Sequence, residues 1–216
     1  MSFKKNKYII IKNAIPINVA NFCMNYLQLK RKVYDTYKEW KYISPYNKDH
    51  GFYEGEEDQI PNTWSCYGDI AMETLLSMVK PIMEKNTQLK LYETYAYTRL
   101  YKKGDELKKH SDRSSCEIST TLNLGGNPWP IYLKNIKNKT VKVELNISDM
   151  LIYKGCELEH WREPFTGNIC GQVFLHYNEE RGTTDDHLFD TRPHLGLPSF
   201  FIEPSKFTRE PRKPKK

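Results

Sequence analysis

Long apolar runs are missing from this 216-residue chain. A membrane-crossing helix needs about 20 consecutive apolar residues, and no stretch comes near that. Close cysteine pairs are missing too. The five cysteines (Cys23, Cys66, Cys116, Cys156 and Cys170) are odd in number and include no Cys-x-x-Cys. That argues against a disulfide framework. Met1–Lys7 is polar, and Tyr8–Ile11 is too short for the apolar core of a secretory leader. A reducing, cytoplasmic location with free thiols is therefore expected. The sequons at Asn138 and Asn146 would then go unused. Internal repeats and low-complexity tracts are also lacking before residue 204.

Most of the chain has little net charge as well. Of the formal +6, most sits in residues 205–216, where six cations face only Glu210. The near-neutral remainder does not resemble a nucleic-acid-binding surface. Residues 204–216 read as a disordered basic tail, a solvated end that at most touches a polyanion such as nucleic acid weakly. Residues 1–203 read as one folded domain. Hydrophobic residues make up 38% and aromatics 13%, with 15 tyrosines. Disordered chains are poor in such residues.

The apolar pattern divides the chain in two. Ile17 to about Tyr37 and Tyr67–Glu84 carry helical spacing, the second with Pro81 as a late kink or stop. Between them, Ser44–Trp64 is rich in Gly, Pro, Asp and Asn and reads as a long loop, a candidate lid. Tyr8–Ile11 is a first strand. From residue 91 the period becomes two. Leu91–Tyr101 places Tyr95, Tyr97, Arg99 and Tyr101 on one face. Further strands are expected at Glu117–Leu124, Ile131–Leu133, Val141–Leu145, Met150–Tyr153 and Gln172–Tyr177, separated by turn signals. Helices followed by many short strands predict an α+β fold, a double-sheet barrel carrying helices on one side.

The sharpest chemical feature is His110-Ser111-Asp112. Two ligands two residues apart in extended chain point the same way and can reach one metal. His160, just past the strand Met150–Tyr153, supplies a third. Two histidines and a carboxylate leave half an octahedron open, the arrangement of non-haem Fe(II) oxygenases. Zinc normally takes four ligands. Set against this, His-x-Asp is common by chance, and the neighbouring Lys108, Lys109 and Arg113 suit an exposed turn.

Three stretches carry a likeness to a known family: Tyr101–Asp112, Ser148–His160 and Gln172–Tyr177. They resemble the 2-oxoglutarate/Fe(II) dioxygenases of the prolyl-4-hydroxylase-like group. Cys116–Gly126 and Trp129–Ile131 look most like its small phage-encoded members. The resemblance covers about residues 91–178. It implies a double-stranded β-helix (jelly-roll) core with the N-terminal helices packed on one sheet. It also implies iron held by His110, Asp112 and His160, with 2-oxoglutarate as cosubstrate and O₂ as oxidant. A substrate C–H, in peptidyl proline for example, would be hydroxylated with release of succinate and CO₂.

The family usually places Lys or Arg about ten residues past the distal histidine to bind the far carboxylate of 2-oxoglutarate. Here that position is Cys170. Arg162, two residues past His160, is the substitute, since a guanidinium suits a carboxylate. A surface ion pair with Glu159 or Glu163 is its other reading. Tyr101 and Thr121 are further candidates for the cosubstrate pocket. Arg99, Tyr97 and Trp161 are candidates for the substrate mouth, with core packing as the alternative. His176 reads as a core or edge histidine. Two rival functions remain: a non-catalytic module whose basic tail docks on nucleic acid, and a cupin-like metal enzyme that uses no 2-oxoglutarate.

Overall fold

The structure, a computed structural model, describes residues 2–44, 47–53, 59–182 and 187–199. A short helix, α1 (Phe3–Asn6), leads into strand β1 (Tyr8–Ile11), and helix α2 follows (Ile17–Glu39). Strand β2 (Ser65–Tyr67) precedes helix α3 (Ile70–Thr87). Eight strands then complete two sheets: β3 (Leu91–Lys102), β4 (Leu107–His110), β5 (Ile118–Gly126), β6 (Ile131–Lys134), β7 (Thr140–Val143), β8 (Met150–Lys154), β9 (His160–Arg162) and β10 (Ile169–Glu179).

The larger sheet has the order β1-β8-β5-β10-β3-β2 and the smaller β4-β9-β6-β7, with every pair antiparallel. From β3 to β10 the chain passes back and forth between the sheets. That is the double-stranded β-helix, and the α+β expectation holds.

The tyrosine strand β3 shows why the layers form. Leu91, Ala96 and Leu100 join the apolar layer beneath the helices, with Leu27 of α2 and Met72, Leu76, Val79 and Met83 of α3. Tyr95, Tyr97, Arg99 and Tyr101 alternate to the barrel side. Because both faces are covered, β3 is buried nearly throughout. Two smaller apolar clusters flank the barrel interior. One contains Ile131, Leu133, Leu151 and Tyr153; the other contains Tyr101, Leu107, Trp129, Phe165 and Cys170.

Two local expectations are corrected. Tyr67 belongs to β2, not to a helix: Gly68 turns with φ +65°, and Asp69 caps α3 by accepting the Met72 N–H at 3.1 Å. Pro81 neither ends nor shortens α3, which continues to Thr87. Strands β4 and β9 were not legible as strands, for they are short and polar. The lid candidate Ser44–Trp64 falls partly outside the described residues, and the tail 204–216 wholly so. Among the described residues no helix is long and apolar enough to cross a membrane, and all five cysteines are free thiols.

Candidate metal centre

His110 ends β4 and His160 begins β9, and the register places them directly opposite one another. Asp112 follows in the turn, its N–H donating to the Gly155 carbonyl at 2.9 Å. One ligand atom from each of His110, Asp112 and His160 lies within 4.8 Å of the other two. The His110 Nε2 is 3.6 Å and the His160 Nε2 3.4 Å from the same carboxylate oxygen, Asp112 Oδ1.

The unused ring nitrogens define the donors. His110 Nδ1 is 2.9 Å from the Lys108 carbonyl, and His160 Nδ1 is 2.9 Å from the Leu158 carbonyl. A carbonyl only accepts, so each Nδ1 carries the proton and each Nε2 keeps a lone pair that a cation can use, that of His160 facing the Tyr153 hydroxyl at 3.4 Å. Burial disfavours charge on Asp112, but the two histidines outweigh it and hold its carboxyl far below the usual range. Burial also opposes charge on His110, yet Asp112 and the Lys108 carbonyl leave its pKa raised.

A further set of residues supports Asp112. Ser119 Oγ donates to Asp112 Oδ2 at 2.8 Å and lies 3.0 Å from His176 Nδ1. Burial pushes His176 down to about 4, so it is neutral. It can donate to Ser119 while the Ser119 proton goes to Asp112. Sequence reasoning left His176 as a core histidine and passed over Ser119; the alternation of β5 was its only signal. Gly155 is needed for close approach. A Cβ there would sit 2.2 Å from Asp112 Oδ2 and 2.5 Å from the Cys116 carbonyl.

The three ligands open onto a cavity of about 560 Å³, lined also by Tyr95, Tyr97, Arg99, Arg113 and Phe174. Tyr97 and Arg99 thus line the cavity. Trp161 does not: alternation along β9 turns it to the other face of the small sheet. There it stacks on Tyr132 with ring centres 5.7 Å apart and is covered by Lys109.

Arg162 is brought inside the barrel, only 1% exposed. It pairs with neither Glu159 nor Glu163. Its guanidinium donates to the Trp129 carbonyl and, at 3.2 Å, to Thr121 Oγ1 across the barrel. No carboxylate forms an ion pair with it among the described residues. Arg162 Nε and the Tyr101 hydroxyl are both buried without a hydrogen-bond partner there. Cys170 sits opposite Tyr101 in the β3–β10 register and accepts from Gln172 Nε2 at 3.2 Å. A buried cation without a counter-charge is costly, and the donors converging here suit an organic carboxylate.

No protein-family model matches the chain, and no curated protein matches its sequence. Solved structures do match in fold. One is a prolyl-4-hydroxylase from Pseudomonas putida, with a TM-score of 0.60 at 12% identity over 82% of this chain and 95% of that one. Another is a prolyl hydroxylase from Trichoplax adhaerens, in complex with a peptide fragment of the hypoxia inducible factor oxygen degradation domain. It gives 0.60 at 16% identity over 83% and 86%. The viral collagen prolyl hydroxylase of Paramecium bursaria Chlorella virus-1, in its 2-oxoglutarate complex, gives 0.54 at 10% identity over 81% and 97%. The chain therefore has the double-stranded β-helix fold of the 2-oxoglutarate/Fe(II) oxygenases. At these identities the likeness concerns the fold, and no special closeness to phage-encoded proteins emerges.

Proposed function

We propose that this protein is an Fe(II)- and 2-oxoglutarate-dependent oxygenase that hydroxylates a substrate C–H and releases succinate and CO₂. One observation carries the reading. In a single barrel, three donors of the required kinds converge on one point, and a buried guanidinium without a carboxylate partner among the described residues lies in the same interior. The first suits a divalent cation with open positions; the second suits a dicarboxylate bound beside it.

His110, Asp112 and His160 would hold the iron. When bound, iron and 2-oxoglutarate supply O₂ activation, coupling decarboxylation to hydroxylation. The chain's own groups do the rest. Arg162 binds the far carboxylate of the cosubstrate, with the Tyr101 hydroxyl as a second donor; Thr121, which donates to Gln172 Oε1 at 2.9 Å and accepts from Arg162, lines the same pocket. Arg162 on β9 thereby takes over from the cation missing at Cys170. Trp129, Phe165 and Leu107 keep water from that end. Arg99 and Tyr97 face the substrate. A peptidyl prolyl side chain is the finer proposal, resting on the motif likeness and on the names of the fold relatives. The phage-type affinity rests on the Cys116–Gly126 and Trp129–Ile131 stretches alone. A cytoplasmic location suits the free thiols.

The test is direct. Under anaerobic conditions, Fe(II) plus 2-oxoglutarate should develop a weak visible charge-transfer band. Under air, slow succinate release should follow and be lost in His110→Ala. Iron binding with no response to 2-oxoglutarate would overturn the proposal in favour of the cupin-like alternative. A succinate-release screen across peptides, free amino acids and nucleic acids then addresses the substrate.

A further inference from the structure

Asp112 is followed directly by Arg113, a cation next to the carboxylate that the metal requires. A guanidinium matches both oxygens of a carboxylate, so a mobile Arg113 would compete with the metal for Asp112. Among the described residues, no ion pair joins the two. Instead Arg113 Nη2 donates to Asp190 Oδ2 at 2.7 Å, and its guanidinium carbon lies 4.8 Å from the centre of the Tyr95 ring. Asp190 Oδ2 also accepts from the Tyr67 hydroxyl at 2.7 Å. Tyr67 in turn stacks on Tyr95, with centroids 4.9 Å apart. Residues from three separate segments thus hold Arg113 in the wall of the metal cavity.

The backbone that delivers Asp190 is unusual. Phe189, Asp190 and Thr191 are consecutive non-glycine residues with φ of 50°, 56° and 68°, the left-handed region that aspartate tolerates but bulky Phe and β-branched Thr avoid. Next to them, Arg192 pins the segment to the body. It is paired with Glu73 of α3 at 2.6 Å, both side chains essentially unexposed. It also donates to the Phe189 and Thr94 carbonyls. Strained backbone persists only where its surroundings over-determine it, and it clusters at functional sites. The side chain that this anchored, strained turn carries to the barrel is Asp190.

We propose that Asp190 is a positioning residue of the metal centre: carried on residues 187–199, it holds Arg113 away from Asp112, so that the Asp112 carboxylate stays available to the cation. The inference rests on the reading of His110, Asp112 and His160 as metal ligands.

The experiment measures Co(II) affinity by calorimetry in full-length, metal-stripped protein. Wild type is compared with Asp190→Asn, Arg113→Gln and the double variant, each checked for folding by thermal unfolding. Asp190→Asn should weaken Co(II) binding on the order of 10-fold, the low end for residues that orient metal ligands. Arg113→Gln should bind about as wild type. In the Arg113→Gln background, Asp190→Asn should have no further effect. An equal loss in both backgrounds, or none in either, overturns the proposal. Should Asp190→Asn fail to fold, Tyr67→Phe removes only one hydrogen bond to Asp190. It should weaken Co(II) binding in the same direction, again only when Arg113 is present; any other result overturns the proposal. The underlying reading fails separately, if His110→Ala and His160→Ala bind Co(II) as tightly as wild type.

Discussion

His110 and His160 face each other across an antiparallel strand pair, ring centres 4.2 Å apart, both directed at one oxygen of Asp112. Each is worth little alone, because two donors do not define a site. Replacing either by alanine should abolish stoichiometric Fe(II) or Co(II) binding in calorimetry. The fold should survive, since His110 is part-exposed and the large apolar layer lies on the other face of the main sheet. Retained 1:1 binding in both variants would refute the site.

Acid should release the metal. In metal-free protein the His110 pKa lies above its ordinary 6.5. Protons therefore compete for Nε2 already at pH values above 6.5, and metal affinity should fall as pH drops through the raised folded-state pKa. Stability of the metal-free protein runs the other way. A raised folded-state pKa gives a contribution that is full below 6.5 and lost as pH rises through the folded value. Thermal unfolding of metal-free wild type and His110→Ala across this range should show a pH-dependent difference that shrinks at the alkaline end.

Arg162 should show opposite effects on cosubstrate and on stability. Hydrogen bonds to charged groups are each worth about 1.5–3 kcal/mol. Arg162→Met should therefore raise the apparent Kd for 2-oxoglutarate at least roughly tenfold, read from the anaerobic charge-transfer band. It also removes a buried charge that lacks a counter-ion, so the melting temperature without 2-oxoglutarate should not fall and should rise if packing is kept. Unchanged 2-oxoglutarate affinity would refute the carboxylate assignment.

Gly155→Ala should damage the site without touching a ligand. Its Cβ would lie 2.2 Å from Asp112 Oδ2 and 2.7 Å from Ser119 Oγ, so the carboxylate or the turn must shift. Overpacking of this kind costs about 1–3 kcal/mol, and metal affinity should drop with it. Ser119→Ala is the milder counterpart. It loses one hydrogen bond to Asp112 and should weaken metal binding on the order of 10-fold. Wild-type affinity in both variants would mean that Asp112 needs no such support.

How much could be read in advance depended on the kind of residue. The strands β3, β5, β8 and β10 were legible because an apolar layer on one face and a more polar barrel interior on the other give the sequence period two. The strands bearing the histidines were not. Leu-Lys-Lys-His and His-Trp-Arg show no such period, since each has only three or four residues and the inner face carries polar site residues instead of apolar ones. The barrel-side location of Arg99 and Tyr97 followed from alternation, whereas Trp161 was displaced because its neighbours His160 and Arg162 take the inner face. Asp190 had no sequence signal of its own, being one of three aspartates in a short stretch and 77 residues from Arg113.

The sequence by itself determined the layer order, the alternation that aims Tyr101 and Arg99 inward, and the three ligand types, because each of these follows from neighbours a few residues apart. Only the tertiary structure decided that Arg162 is buried beside Thr121 rather than paired at the surface. Likewise, only it showed that Ser119 and His176 support Asp112 and that Asp190 takes Arg113. Those outcomes depend on strands from opposite sheets and a distant turn meeting in one low-dielectric interior, where the nearest partner in space, not in sequence, sets each charge's environment.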